Sequence, residues 1–142
     1  MPEDRYDDTE EFEGRLAGTK ILVVDDDRDI LASFEAALES EDAHVITASD
    51  GNTGVRLANE EHPDLVVLDM MLPGRSGFLA LEKIKGREDS PLVIMVTANE
   101  GRRHQVYAEN LGVDDYVLKP VPLGRLIEAA ERLLRAAGKI SD

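Results

Sequence analysis

Five residues, Leu65-Val66-Val67-Leu68-Asp69, constrain this chain more than any others: they form an apolar run that stops on a carboxylate. A short, uninterrupted aliphatic run suits a strand buried on both faces, as a parallel sheet requires. Pro73 and Gly74 force a turn soon afterwards. Asp69 is therefore expected at the carboxyl end of a buried strand, the edge where open α/β sheets bind ligands. A strand-end aspartate can also do no more than cap the adjoining loop or helix. Its meaning depends on what else reaches that edge.

Four other stretches read as strands. Lys20 to Val24 runs into Asp25-Asp26-Asp27, and His44 to Ala48 is short and followed by the turn Ser49-Asp50-Gly51. Leu92 to Thr97 ends on a hydroxyl, and Asp115 to Leu118 ends on Lys119-Pro120. Helical spacing lies between them. Ile30, Leu31, Phe34, Ala37 and Leu38 share one face, with Asp27 placed to cap that helix. Further helices are expected over Asn52 to Glu60, from Gly77 to about Gly86, over Gly101 to Leu111, and after Pro122. The last should bury Leu123, Leu126, Ile127, Ala130, Leu133 and Leu134. Strands alternating with helices imply an α/β fold, a doubly wound parallel sheet with helices on both faces. Right-handed crossovers then bring every strand's carboxyl end to one edge. Asp25, Asp26, Asp69, Thr97 and Lys119 all lie at such ends.

Those five residues make a chemical set. Packed carboxylates repel, so at neutral pH they need a cation or a shifted proton. The chain has no cysteine, and His44, His62 and His104 show no ligand spacing and read as surface or strand-edge histidines. Oxygen ligands alone point to Mg²⁺, which favours carboxylates, waters and phosphate oxygens. A carboxylate beside Mg²⁺ and the Lys119 ammonium is equipped to attack phosphorus and form an acyl phosphate. Thr97 adds a short, steerable donor.

The remaining composition excludes more than it assigns. At 142 residues the chain suits one domain, and no apolar run is long enough to cross a membrane. A net charge of −14 repels phosphate backbones, so direct nucleic-acid binding is not expected. The lack of cysteine fits a reducing cytoplasm. Residues 1–18 are acid-rich with little to bury and read as a mobile tail, or as a short helix around Phe12 and Leu16 that docks on a partner or a second copy. Residues 19–137 form the domain, and 138–142 a short stub.

Over Thr19 to Ala137 the sequence resembles a response-regulator receiver domain of two-component signalling. The resemblance rests on Ile21 to Asp27, Pro63 to Gly74, Val96-Thr97-Ala98 and Tyr116-Val117-Leu118-Lys119-Pro120. It implies a flavodoxin-like five-stranded sheet of order 2-1-3-4-5 with five helices, and a cis bond at Lys119-Pro120. By the same resemblance Asp69 is the phosphoacceptor, and Asp25, Asp26, Asp69 and the Met71 backbone carbonyl hold Mg²⁺. Lys119 contacts the phosphoryl group or the Asp69 carboxylate, Thr97 and Tyr116 form the switch, and Met71 and Asn99 tune phosphoryl lifetime. The implied donor is a sensor histidine kinase or a histidine phosphotransfer protein. The implied reader is a downstream protein, a second copy in a homodimer, or an output domain outside this sequence. It would engage the surface of the fourth helix, fifth strand and fifth helix. Such a protein is a switch rather than an enzyme. Val121 departs from the family, which more often has Phe there. Two rivals stay open at this point: an aspartyl-phosphate phosphatase of the haloacid-dehalogenase type, and a docking module that is never phosphorylated. The first would want an acid where Met71 stands.

Overall fold

The computed structural model describes residues 13–73, 76–98 and 101–140. Five parallel strands, β1 (Lys20–Val24), β2 (His44–Ala48), β3 (Leu65–Asp69), β4 (Leu92–Thr97) and β5 (Asp115–Leu118), form one sheet of order β2-β1-β3-β4-β5. Between and after them run α1 (Arg28–Glu39), α2 (Gly51–Glu61), α3 (Gly77–Lys85), α4 (Arg102–Asn110) and α5 (Leu123–Ala136). The doubly wound α/β architecture expected from the sequence is the one observed.

Strand alternation sorts the apolar residues into two cores. Ile21, Val23, Leu65, Val67, Ile94 and Val96 point to one face, where Phe34 and Leu38 of α1 and Leu126, Ala130 and Leu134 of α5 cover them. Leu22, Val66, Leu68, Val93 and Met95 point to the other, under α2, α3 and α4. Because both faces are covered, β3 is buried along its whole length, Asp69 included. Local polar groups start the helices: the carboxylate of Asp27 accepts from the amides of Asp29 and Ile30, and Asp50 accepts from that of Thr53.

Register delivers the functional edge. Val24 of β1 lies opposite Leu68, Asp69 opposite Val96, and Thr97 opposite Leu118. The residues that end β1, β3, β4 and β5 thus lie side by side. Behind Asp69, α3 begins at unusually close range. The Gly77 amide donates to the Met70 carbonyl at 2.8 Å. A Cβ on Gly77 would sit 2.5 Å from both the Asp69 carbonyl oxygen and the Met70 Cα. Glycine is the side chain this approach permits.

Three expectations need correction. Leu16, inside the stretch read as tail, is fully buried in the α1–α5 core. Its amide donates to Glu41 at 2.9 Å, and Gly14 passes so near Glu41 that a Cβ would touch its backbone. Arg15 reaches α5 and bonds Glu131 at 2.6 Å, and Glu131 also accepts from Arg135. These bonds hold the Glu131 carboxyl below its usual range. The folded unit therefore starts before Gly18, although residues 1–12, and with them the Phe12 part of the proposed docking helix, lie outside the described residues. Second, Leu123, the first residue of α5, is 42% exposed rather than buried. Third, His104 is not a plain surface histidine: its ring stacks on Phe78 at 5.9 Å, and its Nδ1 is enclosed without a hydrogen-bond partner.

Truncating Leu16 to Ala should cost about 2–5 kcal/mol, the range for a fully buried leucine, read as a lower urea midpoint. A surface tail would give no measurable change. Gly77→Ala should cost about 1–3 kcal/mol through overpacking behind Asp69, checked by the same titration.

Candidate functional site

Asp25 and Asp69 are buried at the carboxyl edge, Thr97 is fully buried beside them, and Asp26 is exposed at the rim. Carboxylate oxygens of Asp25, Asp26 and Asp69 all lie within 4.8 Å of one another. Lys119 closes the group: its Nζ lies 3.0 Å from Asp25 Oδ2 and 3.4 Å from Asp69 Oδ1. The Lys119 amide donates to the Thr97 carbonyl at 2.8 Å, which continues the β4–β5 pairing into the site. The Lys119-Pro120 bond is cis.

Each carboxylate is held by backbone as well as by charge. Asp25 Oδ1 accepts from the Asp27 amide at 2.9 Å, so the residue that caps α1 also fixes its neighbour's carboxylate. Asp69 Oδ1 accepts a longer bond from the Met71 amide at 3.3 Å. The Met71 side chain is 68% exposed at the mouth of the site. Tyr116, on β5, is half-buried and packs on the second core. Asn99 lies outside the described residues.

The electrostatics follow from crowding. Burial pushes the Asp69 carboxyl above its usual range and Asp25 pushes it further, while Lys119 and the Met71 amide pull it back. For Lys119, burial works against the charged form. The bond to Asp25 and the fields of Asp69 and Asp25 outweigh it, and the ammonium is raised. Three carboxylates facing one ammonium leave an excess of negative charge in a partly buried corner. A hard divalent cation suits such a donor set. Next to the group lies a cavity of about 560 Å³, walled by Ile30, Ser33 and Phe34 of α1 and by Ala98, Lys119 and Val121.

The structure thus brings Asp25, Asp26, Asp69, Thr97 and Lys119 to one place and sets Met71 at its entrance. Sequence reading missed the apolar cavity, whose walls come from α1 and the β5–α5 loop, far apart in the chain. It also missed the Phe78, His104 and Tyr107 ring cluster, in which Phe78 meets Tyr107 edge-on at 5.0 Å. Only the unusual Val121 hinted at the first.

With this geometry in hand, comparison with known proteins gives one answer. Residues 21–131 match the family model of the response regulator receiver domain. The chain is similar to a CheY-like response regulator receiver domain protein from Methanospirillum hungatei, at 33% identity and a TM-score of 0.82, over 85% of this chain and 97% of that one. It is also similar to the BeF3-activated N-terminal receiver domain of RstA from Klebsiella pneumoniae, at 28% identity and a TM-score of 0.76, over 82% and 98%. NtrX from Brucella abortus, solved in complex with ATP, matches at 32% identity and a TM-score of 0.78, over 85% of this chain but 28% of that longer one. The chain belongs to the response regulator receiver domain family of two-component signalling. Receiver domains are phosphoacceptor switches that interact with kinases and output domains. None of the described helices is long and apolar enough to cross a membrane.

The raised Asp69 carboxyl carries a signed consequence. A carboxyl raised in the folded state binds its proton more tightly there than in the unfolded chain. Its contribution to stability is intact below the unfolded pKa and is lost as pH rises through the folded one. At pH 7 the ionised group is therefore a burden. Without divalent cations, Asp69→Asn should raise the stability by ~1 kcal/mol or more, the scale for neutralising a buried charge cluster. The gain should shrink as the pH falls through the raised Asp69 pKa and be gone below the usual carboxylate range. Urea titrations at both pH values check it.

Proposed function

We propose that this receiver takes a phosphoryl group onto Asp69 from a phosphohistidine on a sensor kinase or phosphotransfer protein, in the cytoplasm, and that the change is read on the α4–β5–α5 surface. The observation that carries the reading is the bridge from Lys119 to Asp25 and Asp69 within a cluster of three carboxylates. An Asp69 oxygen attacks phosphorus while the bond to the imidazole nitrogen breaks. The imidazole leaves neutral from the form protonated on its other nitrogen, and an acyl phosphate remains on Asp69. Lys119 turns from Asp69 to the transferred oxygens, where a fixed ammonium offsets developing charge. Asp25 and Asp26, with Asp69 and the Met71 carbonyl, would hold Mg²⁺, which supplies a hard cation for the phosphoryl oxygens.

The apolar cavity beside Lys119 is the seat for a side chain of the donor. It borders the site at Lys119, and Val121 forms part of its wall. A phosphorylated Asp69 then presents a dianion at the edge. Thr97 turns its hydroxyl toward that group, and Tyr116 moves inward behind it. The acyl phosphate shifts the surface only by its differential affinity for the two arrangements. The exposed, apolar Met71 cannot position an attacking water, and Asn99 is assigned the companion role in setting phosphoryl lifetime. A phosphatase of the haloacid-dehalogenase type is not favoured, because what reaches Asp69 from position 71 is a backbone amide.

Intact mass after incubation with acetyl phosphate and Mg²⁺ should show a single phosphoryl adduct on the wild type and none on Asp69→Asn. An unmodified wild type, treated with both acetyl phosphate and a phosphohistidine donor, would overturn the assignment. Mg²⁺ alone should raise the wild-type urea midpoint by linkage, and Asp25→Asn should reduce that rise. The double variant Thr97→Ala, Tyr116→Ala should still form the adduct yet lose phosphorylation-dependent partner binding.

A further inference from the structure

The ring cluster between α3 and α4 takes no part in the site, yet it begins directly behind it. Gly77 packs against the Asp69 carbonyl and the Met70 Cα, and its amide donates to the Met70 carbonyl at 2.8 Å. The next residue, Phe78, is the half-buried ring on which α4 rests. His104 stacks on it with ring planes 1° apart and centroids 5.9 Å apart, and Tyr107 meets it edge-on at 5.0 Å. His104 and Tyr107 are three positions apart and so share one face of the helix. Both arrangements are ones that aromatic pairs prefer.

The two ends of α4 are held differently. At its carboxyl end the Leu111 amide donates to the Tyr107 and Ala108 carbonyls, and the Val113 amide reaches back to Ala108 at 3.1 Å. Gly112 turns the chain with a φ of +99°. Just beyond it, Asp114 is bridged to Lys85 at 2.8 Å and accepts from the Val93 amide at 2.8 Å. In the first turn, by contrast, Arg102, Arg103 and Gln105 are exposed, and His104 alone is turned inward. That stack carries a penalty. Nδ1 of His104 is enclosed without a hydrogen-bond partner, and a nitrogen so placed gains by meeting water. Stacking therefore favours the closed position, and hydration of Nδ1 favours the open one.

We propose that Phe78, His104 and Tyr107 form a latch on the amino-terminal half of α4, that the helix swings about Gly112 when the latch opens, and that Asp69 sets the latch through Gly77. The last part rests on the phosphoacceptor reading; the latch itself does not. A phosphoryl group on Asp69 displaces the backbone against which Gly77 packs. α3 starts there with no room for even a Cβ, so Phe78 moves with it and the stack parts. This route does not pass through Thr97 or Tyr116.

Amide hydrogen exchange at pH 7 tests the latch without phosphorylation. In the full chain the Val106, Tyr107 and Ala108 amides should exchange faster than those of β1 and β3, the mark of a local opening. Phe78→Leu should speed them on the order of tenfold, because both ring contacts are lost. His104→Phe keeps a ring and removes the unpaired nitrogen, and should slow them several-fold. Ordinary packing predicts a loss in both variants, so the slowing is the discriminating sign. Wild-type α4 rates in Phe78→Leu, or faster exchange in His104→Phe, would overturn the latch.

The link to Asp69 is read in excess acetyl phosphate with Mg²⁺, the adduct being followed by intact mass. Exchange at Val106, Tyr107 and Ala108 should rise on adduct formation in the wild type and equally in the Thr97→Ala, Tyr116→Ala variant. In Phe78→Leu it should be fast before and after. An adduct that leaves the α4 rates unchanged would sink the link through Gly77, as would a rise confined to chains that keep Thr97 and Tyr116. A chain that forms no adduct would overturn the Asp69 assignment and the link with it, while the exchange rates without phosphorylation still decide the latch.

Discussion

Charge crowding at the carboxyl edge of the sheet is the constraint to which the rest of this molecule answers. Asp25 and Asp69 are buried where carboxylates are costly, and Lys119 reaches between them at 3.0 and 3.4 Å. The cost is tolerable only because each group is held by structure from elsewhere. The Asp27 amide supports Asp25, the Met71 amide supports Asp69, and the β4–β5 pairing sets the lysine. The incomplete compensation matters as much as the compensation. Asp69 stays above its ordinary range while Lys119 is raised, which is the state of a group waiting for a further positive partner.

Most of this arrangement could be read from the amino-acid order, and the reasons are local. Apolar runs of strand length, helix caps such as Asp27 and turn residues such as Pro73 act within a few positions. Parallel topology then carries strand ends to one edge without reference to any particular side chain. The features that were not legible depend on distance or on the lack of a period. Leu16 is a lone apolar residue in an acidic stretch, with nothing around it to repeat, and only Glu41 and α5 reveal why it is buried. Its neighbour Arg15 finds Glu131 at a separation of 116 residues. Leu123 continues the apolar stripe of α5 by spacing alone, but at the helix's first position it stays exposed. His104 sits in a helix of little apolar content, and its enclosure arises from Phe78 on another helix.

The helices are not held equally. Among the residues of α4 only Ala108 is buried, whereas α5 buries five. The outer attachment of α4 is the ring cluster with Phe78 and the turn at its end. An element with so little buried apolar surface opens at lower free energy than its neighbours. Arg102 and Arg103 lie exposed on this loosely held helix, so a small change at the sheet edge has an element nearby that can respond.

The clasp around Leu16 also decides where the chain ends emerge. Gly14 lies against Glu41, ahead of β2, while Lys139 returns to Asp64 at 3.6 Å, ahead of β3. Both ends of the described fold therefore leave from the amino edge of the sheet. Five strand residues, ~17 Å, separate that edge from Asp69. A reporter or module joined directly to either end of the described fold would start clear of the carboxylate cluster. At the front of the chain a fusion would adjoin both the end of α1, through Glu41, and α5, through Arg15 and Glu131, whereas at the back it would adjoin α5 alone.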